Sequence, residues 1–159
     1  MVAYPDSKLP DPEETGLEFQ DFVQTQLMKR FGIPLQFYTS RSYQYNVGET
    51  VQGVEIKYDD WCSRTERVSV EIREKTRAAN SQWVSSGIYR KDNTWLYVQG
   101  NYDICFAFAK TTLVRLYETG RYPVEEKPKV SPTIQTFYLP FADAYRYAAF
   151  YVDFRAATP

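Results

Sequence analysis

Two segments with strict alternation of apolar and polar residues constrain the fold of this chain most strongly. They are residues 51–59 (VQGVEIKYD) and 67–75 (RVSVEIREK), in which valine and isoleucine occupy every second position of the central part. A period of two residues is typical of a β-strand with one buried face. The sequence therefore predicts two amphipathic strands. Because only residues 60–66 separate them, we expect the two strands to pair in one sheet.

The rest of the chain mixes helices with strands. Apolar residues recur every three or four positions over residues 13–31, which predicts a helix that ends at Gly32. Further strands, rich in aromatic and β-branched residues, are predicted at 35–45, 94–100, 103–109 and 133–139. Two more helices are predicted, over 110–119 and from Pro140 through Phe154. Loops are predicted at 76–93 and 125–132.

This order of elements predicts a single domain of the α/β (α+β) class, with a mixed β-sheet flanked by helices. The length of 159 residues suits one domain. Residues 1–12 contain three prolines and few apolar side chains, so we predict an N-terminal arm over 1–12 and a folded domain over 13–159. The sequence contains no apolar run of the about 18 residues that cross a membrane, and no signal-peptide pattern. We therefore expect a cytoplasmic protein without a membrane partner.

Composition excludes several classes of active site. The chain has no histidine, which excludes Ser-His-Asp triads, Cys-His nucleophiles and zinc sites that depend on histidine. Its two cysteines, Cys62 and Cys105, are too few for a zinc site or a disulfide framework, and Cys105 is expected to be a buried free thiol. Metal chemistry must then rely on oxygen ligands, which favour a hard ion such as Mg²⁺ or Mn²⁺.

Basic residues are distributed unevenly along the chain. Residues 1–25 hold six of the 20 acidic residues but one of the 19 basic ones, so the rest of the chain has an excess of four basic residues. A basic face beside an acidic pocket suits a polyphosphate partner such as nucleic acid. The residues expected to contact it are Arg73, Arg77, Arg90 and Lys91. The 17% aromatic content could supply stacking platforms for bases, although a tyrosine-rich core is the commoner explanation.

The charged faces of the two alternating strands carry acids and bases at matching positions. The first strand carries Glu55, Lys57 and Asp59, and the second carries Glu71, Arg73 and Lys75. If the strands pair, side chains on one face lie within about 5 Å of each other, and two carboxylates at that distance repel unless a cation lies between them. A divalent ion between Glu55 and Glu71, with a lysine that activates water, would supply the parts needed for phosphodiester hydrolysis. A solvated face of salt bridges is the alternative explanation.

These segments resemble motifs of the PD-(D/E)xK, or restriction-endonuclease-like, nuclease superfamily. Its members have a Glu on the first helix, an acid on the second strand, often after Gly-x, and (D/E)-x-K on the third. Here Glu18 lies on the first predicted helix, Glu55 follows a Gly-Val pair, and Glu71 matches the second acid. GVEIKYD, EIREK and SGI also resemble segments of small phage and bacterial members. The resemblance covers roughly residues 13–110 and implies a restriction-endonuclease-like core with Mg²⁺- or Mn²⁺-dependent cleavage of DNA.

The resemblance implies that Glu55 and Glu71 hold the metal. Arg73 occupies the usual lysine position, and an arginine cannot act as a base because its pKa is too high. The water-activating role would then belong to Lys75, two positions further along the strand, or to Lys57 on the neighbouring strand.

Secondary roles and a second alignment follow from the same resemblance. Glu18 would add an outer metal contact, and Asp59 would hold a water or a second ion. The second alignment takes residues 55–57, Glu-Ile-Lys, as the E-x-K motif itself and Glu49 as the preceding acid, which would add Glu49 to the metal ligands. Both alignments use Glu55.

Two other classes of function stay open. The first is a catalytically inactive binding module on the nuclease fold, such as a phage or defence-system protein that binds nucleic acid or another protein, and Arg73 in place of lysine favours it. The second is an interaction protein whose charged face is only solvated. Many nucleases of the superfamily cut two strands as dimers. If the protein is a nuclease, a homodimer is therefore one expectation.

Overall fold

The structure is a computed structural model that describes residues 12–75, 79–127 and 133–156. The predicted arm, apart from Pro12, and the predicted nucleic-acid contact Arg77 lie outside these residues. Within them the helices are α1 (Pro12–Phe31), α2 (Arg41–Asn46), α3 (Cys62–Thr65), α4 (Lys110–Glu118) and α5 (Phe141–Tyr147), with a 3₁₀ turn at Gly87–Tyr89. The strands are β1 (Val54–Tyr58), β2 (Arg67–Lys75), β3 (Val84–Ser85), β4 (Leu96–Gly100), β5 (Ile104–Ala109), β6 (Val124–Lys127), β7 (Thr133–Pro140) and β8 (Phe150–Asp153).

The strands form two four-stranded sheets. In the first sheet β1 runs parallel to β4, and β5 and β8 follow in antiparallel order, so this sheet is mixed. In the second sheet the neighbours β3, β2, β7 and β6 are all antiparallel. The prediction of a single mixed α/β domain is confirmed. The predicted pairing of the two alternating strands is wrong, because β1 and β2 belong to different sheets.

The two amphipathic strands separate because their apolar faces belong to different cores. Val54 and Ile56 of β1 pack with Phe19 of α1. Val70 of β2 packs instead with Phe106 of β5 and other residues between the two sheets. An alternating pattern determines which side chains of a strand are buried, but it does not determine the element that buries them. The connection between the strands contains α3, which carries the chain from one sheet to the other.

Two hydrophobic cores result from this arrangement. The core between α1 and the mixed sheet contains Phe19, Val23, Leu27, Leu35, Val54, Ile56, Leu96, Val98, Cys105 and Ala107. The core between the sheets contains residues of both sheets together with Leu113 and Leu116 of α4 and Ala144 of α5. The mixed sheet is therefore covered on both faces, and a polar side chain on its inner face is held between the two sheets.

The strand predicted at 35–45 is wrong. Its second half is the short helix α2, and its first half makes only an isolated bridge from Phe37 to Thr50. The Ser40 hydroxyl caps α2 by accepting a hydrogen bond of 3.3 Å from the Tyr43 N–H. No residue of α2 is buried, so its aromatic side chains do not pack on a sheet.

The C-terminal half also differs from the prediction in two places. Part of the loop predicted at 125–132 is the edge strand β6, which pairs with β7. The helix predicted through Phe154 ends at Tyr147, because β8 pairs with β5 and completes the mixed sheet.

The other predicted helices and strands agree with the structure within a few residues, whereas the loop predicted at 76–93 contains β3 and the 3₁₀ turn. The expected buried free thiol at Cys105 is confirmed. Cys62 and Cys105 are free and buried. Among the described residues, no helix combines the length and the apolar character that a membrane crossing requires.

Gly87 fixes the 3₁₀ turn against β2. Its φ of 52° lies in the left-handed region, which glycine adopts readily. A Cβ atom at this position would overlap the carbonyl group of Glu71. The Tyr97 hydroxyl donates a hydrogen bond of 2.8 Å to the Gly87 carbonyl, so the turn is also tied to β4.

Gly87→Ala is expected to lower the free energy of unfolding by at least about 2 kcal/mol, because the added methyl group meets backbone at a strained φ. Gly16→Ala in α1 is the matched control, since no atom lies within 4 Å of an added Cβ there. That variant should gain about 0.5–1 kcal/mol from its better helix propensity. Urea denaturation measures both changes, and equal stabilities of Gly87→Ala and the wild type would contradict the close approach.

Candidate functional site

The charged face of β1 points into the space between the two sheets. Residues opposite each other on neighbouring strands share a face of the sheet. β1 places Glu55 opposite Tyr97 of β4, and Lys57 opposite Gln99. Because Tyr97 belongs to the core between the sheets, Glu55 and Lys57 face the second sheet, while α1 covers the other side of β1.

Glu55 is a buried carboxylate with a cation and a hydroxyl as partners. It is only 4% exposed. The Lys57 ammonium lies 2.5 Å from Glu55 Oε1, and the Thr94 hydroxyl donates a hydrogen bond of 3.2 Å to Glu55 Oε2. Since a buried carboxylate without a counter-charge is strongly destabilising, this ion pair fixes the positions of both side chains.

Glu49 brings a second carboxylate to the same place. It lies in the loop before β1, and its Oε1 accepts a hydrogen bond of 3.0 Å from the Ile56 backbone N–H. β1 is an edge strand, so this bond satisfies a backbone group on the open side of the sheet. Burial, with a smaller contribution from the Glu55 charge, raises the pKa of Glu49 to about 7, although the Lys57 ammonium opposes the shift.

Lys57 is the cation that links these carboxylates. Burial alone would lower the pKa of Lys57, but the negative charges of Glu55 and Glu49 outweigh burial and raise the pKa above its ordinary value. Glu71 on β2 adds a smaller effect in the same direction. Lys57 is therefore protonated at neutral pH, and in this arrangement it donates hydrogen bonds but cannot accept a proton.

A cavity of about 280 Å³ opens beside this group, and we call it the outer cavity. Its lining residues are Arg41, Gln44, Tyr45, Glu49, Glu55, Lys57 and Arg90. The Arg90 guanidinium lies over the Tyr45 ring, 5.3 Å from its centroid. Bases outnumber acids in this lining, so the outer cavity can accept an anion beside its two carboxylates.

Lys57 also lines a second cavity of about 140 Å³, the inner cavity, to which strands of both sheets contribute lining residues. Its other polar lining residues are Asp59, Ser69, Glu71, Gln99, Lys127 and Thr136. Glu71 Oε1 accepts a hydrogen bond of 2.5 Å from the Ser86 hydroxyl. Asp59 Oδ2 accepts one of 2.9 Å from the Ser69 N–H, and burial raises the pKa of Asp59. Asp59 therefore links the end of β1 to β2, and Glu71 links β2 to Ser86 at the start of the 3₁₀ turn.

The structure brings together Glu49, Glu55 and Lys57, the residues of the second alignment. Glu71 belongs to the other sheet and acts on Lys57 across the inner cavity, which Asp59 also lines. The expected pair of carboxylates on one face of one sheet does not form, because β1 and β2 are not neighbours. Of the expected nucleic-acid contacts, Arg90 lines the outer cavity.

Arg73 and Lys75 lie outside both cavities. The Arg73 guanidinium and the Lys75 ammonium are 4.8 and 4.6 Å from the centroid of the Trp83 ring. The register between β2 and β7 shifts after Glu71, and such a bulge redirects the side chains that follow it. The lysine two positions beyond Arg73 is therefore not beside the carboxylates.

Glu18 and Lys91 also lie apart from the two cavities. Glu18 is exposed on α1, on the side of β1 opposite to Glu55. Its charge, together with the larger effect of burial, raises the pKa of Tyr102. Lys91 is exposed and lines neither cavity.

Several residues that contact or line the site cannot be recognised from the sequence. Thr94 is separated from Glu55 by 39 residues, and nothing in its local sequence marks it as a partner of a carboxylate. Lys127 falls in a segment whose composition predicts a loop, yet it lines the inner cavity. Tyr45 reaches the outer cavity only because α2 replaces the predicted strand.

Among the residues that the structure describes, no group of three or more cysteine, aspartate or glutamate side chains is placed to hold a metal ion. Glu49 and Glu55 supply two carboxylates at one cavity. The chain matches no family model, no curated protein and no solved structure. The chemistry of the site therefore rests on its own residues.

We expect part of the free energy of unfolding to fall as the pH rises from about 4.5 to about 7. The unfolded chain ionises Glu49 near pH 4.5, whereas the folded protein keeps its proton up to about pH 7. Stability from this group is thus complete below pH 4.5 and is lost as the pH rises through 7, with a total effect on the order of 3 kcal/mol. Urea denaturation at several pH values measures it.

Glu49→Gln is the variant that isolates this effect. The amide oxygen can still accept the Ile56 N–H, but the side chain cannot ionise. The difference in stability between this variant and the wild type should therefore grow in favour of the variant above pH 4.5. Parallel stability curves for the two proteins would contradict the raised pKa of Glu49.

Proposed function

We propose that this protein is a metal-dependent nuclease that hydrolyses phosphodiester bonds in DNA. The observation that carries the proposal is the convergence of Glu49 and Glu55 on Lys57 in a cavity that Arg41 and Arg90 also line. This hydrolysis needs acids that bind a metal ion, a cation that stabilises the charge of the reacting phosphate, and further cations that bind the neighbouring phosphates. The two glutamates, the lysine and the two arginines can fill these roles. The resemblance of the E-x-K motif on β1 to the PD-(D/E)xK superfamily supports the same proposal.

The two carboxylates of the outer cavity fit Mg²⁺ or Mn²⁺. Phosphate-processing sites often hold Mg²⁺ by one or two carboxylates, with water and substrate phosphate as the other ligands. Glu49 and Glu55 offer only oxygen donors, which suits such a hard ion. When bound, the ion would lower the pKa of a water ligand and neutralise charge on the phosphate. Glu49 must lose its proton to take part, so binding should weaken below about pH 7.

Lys57 acts in this proposal as an electrostatic group and not as a base. Its ammonium is held protonated by Glu55 and Glu49, so it can donate hydrogen bonds to phosphate oxygens whose charge grows during the reaction. Lys75, the other lysine considered for activating water, lies beside Trp83 and outside both cavities. We therefore assign the lysine position of the motif to Lys57.

A non-catalytic binding module is the second candidate function. The observation that favours it is the ion pair itself, because Lys57 already neutralises Glu55 and leaves less negative charge for a metal. In that case Arg41 and Arg90 would bind a polyanion, and Glu55 would serve to position Lys57.

Glu55→Gln and Glu49→Gln are each expected to reduce Mg²⁺-dependent cleavage at least about 100-fold, because each removes a charged metal ligand. The assay uses plasmid and single-stranded DNA with Mg²⁺, Mn²⁺ or EDTA. Glu125→Gln is the matched control, since Glu125 is exposed on β6 and lines neither cavity. It should cleave like the wild type, and urea denaturation should show that all variants fold.

Three outcomes would contradict parts of this assignment. Cleavage that persists in EDTA would reject the metal. Wild-type rates in both glutamine variants would reject the outer cavity as the site. A loss in Glu71→Gln as large as that in Glu55→Gln would favour the first alignment, in which Glu71 holds the metal directly.

Calorimetry with Mn²⁺ separates the nuclease from the binding module. For the nuclease we expect binding at millimolar or lower metal concentration, tighter at pH 8 than at pH 6 and lost in Glu55→Gln. The same titration of Glu125→Gln should match the wild type. Absence of binding by the wild type at millimolar Mn²⁺ would favour the non-catalytic module.

A further inference from the structure

The wall of the outer cavity formed by α2 is unusually aromatic and exposed. Tyr43 and Tyr45 are 57% and 63% exposed, and no residue of α2 is buried. Tyr45 lines the cavity that contains the two carboxylates. We call Tyr45 and the neighbouring Arg90 the aromatic wall, because both line the cavity, whereas Tyr38 and Tyr43 do not. An exposed aromatic ring at a cavity is typical of a binding surface.

The aromatic wall is held in a fixed position relative to the carboxylates. The Tyr38 N–H donates a hydrogen bond of 3.2 Å to the Glu49 carbonyl, and the Gln44 side-chain amide donates one of 2.6 Å to the Tyr38 carbonyl. At the other end of α2, the Val47 carbonyl accepts a bond of 2.8 Å from the Asn93 N–H. The backbone that carries Tyr45 is therefore held in place, which lowers the entropy lost when a ligand stacks on its ring.

The ring geometry leaves surfaces for stacking. The Tyr38 and Tyr43 rings have centroids 5.7 Å apart and planes tilted by 30°. Arg90 covers Tyr45 at 5.3 Å, so a planar guanidinium lies beside an exposed ring. An aromatic ring next to a guanidinium is the combination that binds a nucleobase and its phosphate together.

The charged residues of the cavity also favour a nucleotide as the ligand. Arg41, Lys57 and Arg90 line it, and a phosphate group complements these three cations. Its volume of about 280 Å³ lies just below the usual range of ligand cavities, so it is too small for a base pair with both backbones.

We propose that the aromatic wall binds an unpaired nucleotide of single-stranded DNA beside the candidate catalytic residues. In a duplex the faces of the bases are covered by their neighbours, so exposed tyrosine rings can stack only on unpaired bases. The phosphate of the stacked nucleotide would contact Arg90 and extend toward Lys57. This inference rests on the proposed function for its substrate class and narrows that substrate to single strands or unpaired ends.

The test is the affinity of the full chain for DNA in EDTA, where metal-dependent cleavage cannot occur. A fluorescently labelled strand of about 12 nucleotides, within the usual site size, is compared with its duplex at one fixed salt concentration, because phosphate contacts depend on salt. Fluorescence anisotropy measures both affinities. We expect the wild type to bind the single strand at least about tenfold more tightly than the duplex.

Substitution of single tyrosines shows which ring makes the stacking contact with the base. Tyr45→Ala should weaken single-strand binding by about 5- to 150-fold and leave duplex binding unchanged. Tyr43→Ala removes a similarly exposed ring of the same helix that does not line the cavity, so it should bind like the wild type. Tyr45→Phe keeps the ring and should bind like the wild type. Trp61→Ala is the matched control, because Trp61 is 60% exposed and stacked with Arg64 at 4.9 Å but lines neither cavity. It should also bind like the wild type.

The outcomes of the binding test are distinct from those of the cleavage test. The stacking inference would be overturned by equal affinity for single strand and duplex, by no binding of DNA at all, by unchanged binding in Tyr45→Ala, or by an equal loss in Tyr43→Ala or Trp61→Ala. Cleavage combined with unchanged binding in Tyr45→Ala would reject the stacking inference and keep the nuclease. Tyrosine-dependent single-strand binding without cleavage would reject the nuclease and keep the aromatic wall.

Discussion

The ion pair between Lys57 and Glu55 is the interaction on which the arrangement of the site depends. Glu55 is 4% exposed on the inner face of the mixed sheet, whereas the Lys57 side chain is 39% exposed. The pair is therefore buried at its carboxylate end, where an uncompensated charge would be costly. Lys57 lines both cavities and Glu55 lines the outer one, so this pair sets the charge at the edge of the sheet where the candidate site opens.

The second sheet supports this edge without pairing with it. The Gln99 side-chain amide of β4 donates a hydrogen bond to the Ser69 carbonyl of β2, and Lys127 of β6 donates one of 3.1 Å to the Ser69 hydroxyl. Glu71 of the same strand adds its charge to those that hold Lys57 protonated. The Gln99 side chain thus ties the two sheets together beside the inner cavity, which Lys57 also lines.

The sequence predicts the two alternating strands well but not their neighbours. The alternation over 67–75 predicts the bounds of β2, and the alternation over 51–59 contains β1. The error lies in their pairing, because a strand with one apolar face fits a helix, as β1 does, or an opposing sheet, as β2 does. That choice depends on contacts distant in sequence. For the same reason Glu55 and Lys57, two residues apart, could be associated from the sequence, whereas Thr94 could not.

A count of charges connects the proton on Glu49 to the proposed chemistry. With Glu49 protonated, the group of Glu49, Glu55 and Lys57 is neutral, and ionisation of Glu49 leaves it with a charge of −1 that burial opposes. Addition of a divalent ion would change the charge of the ionised group to +1, and a phosphodiester of charge −1 would return it to neutral. A buried site is most favourable when its charges balance. The raised pKa of Glu49 thus reflects burial of a group of three residues whose own charges no longer balance once Glu49 ionises, and in the proposed chemistry the metal ion would supply the missing positive charge.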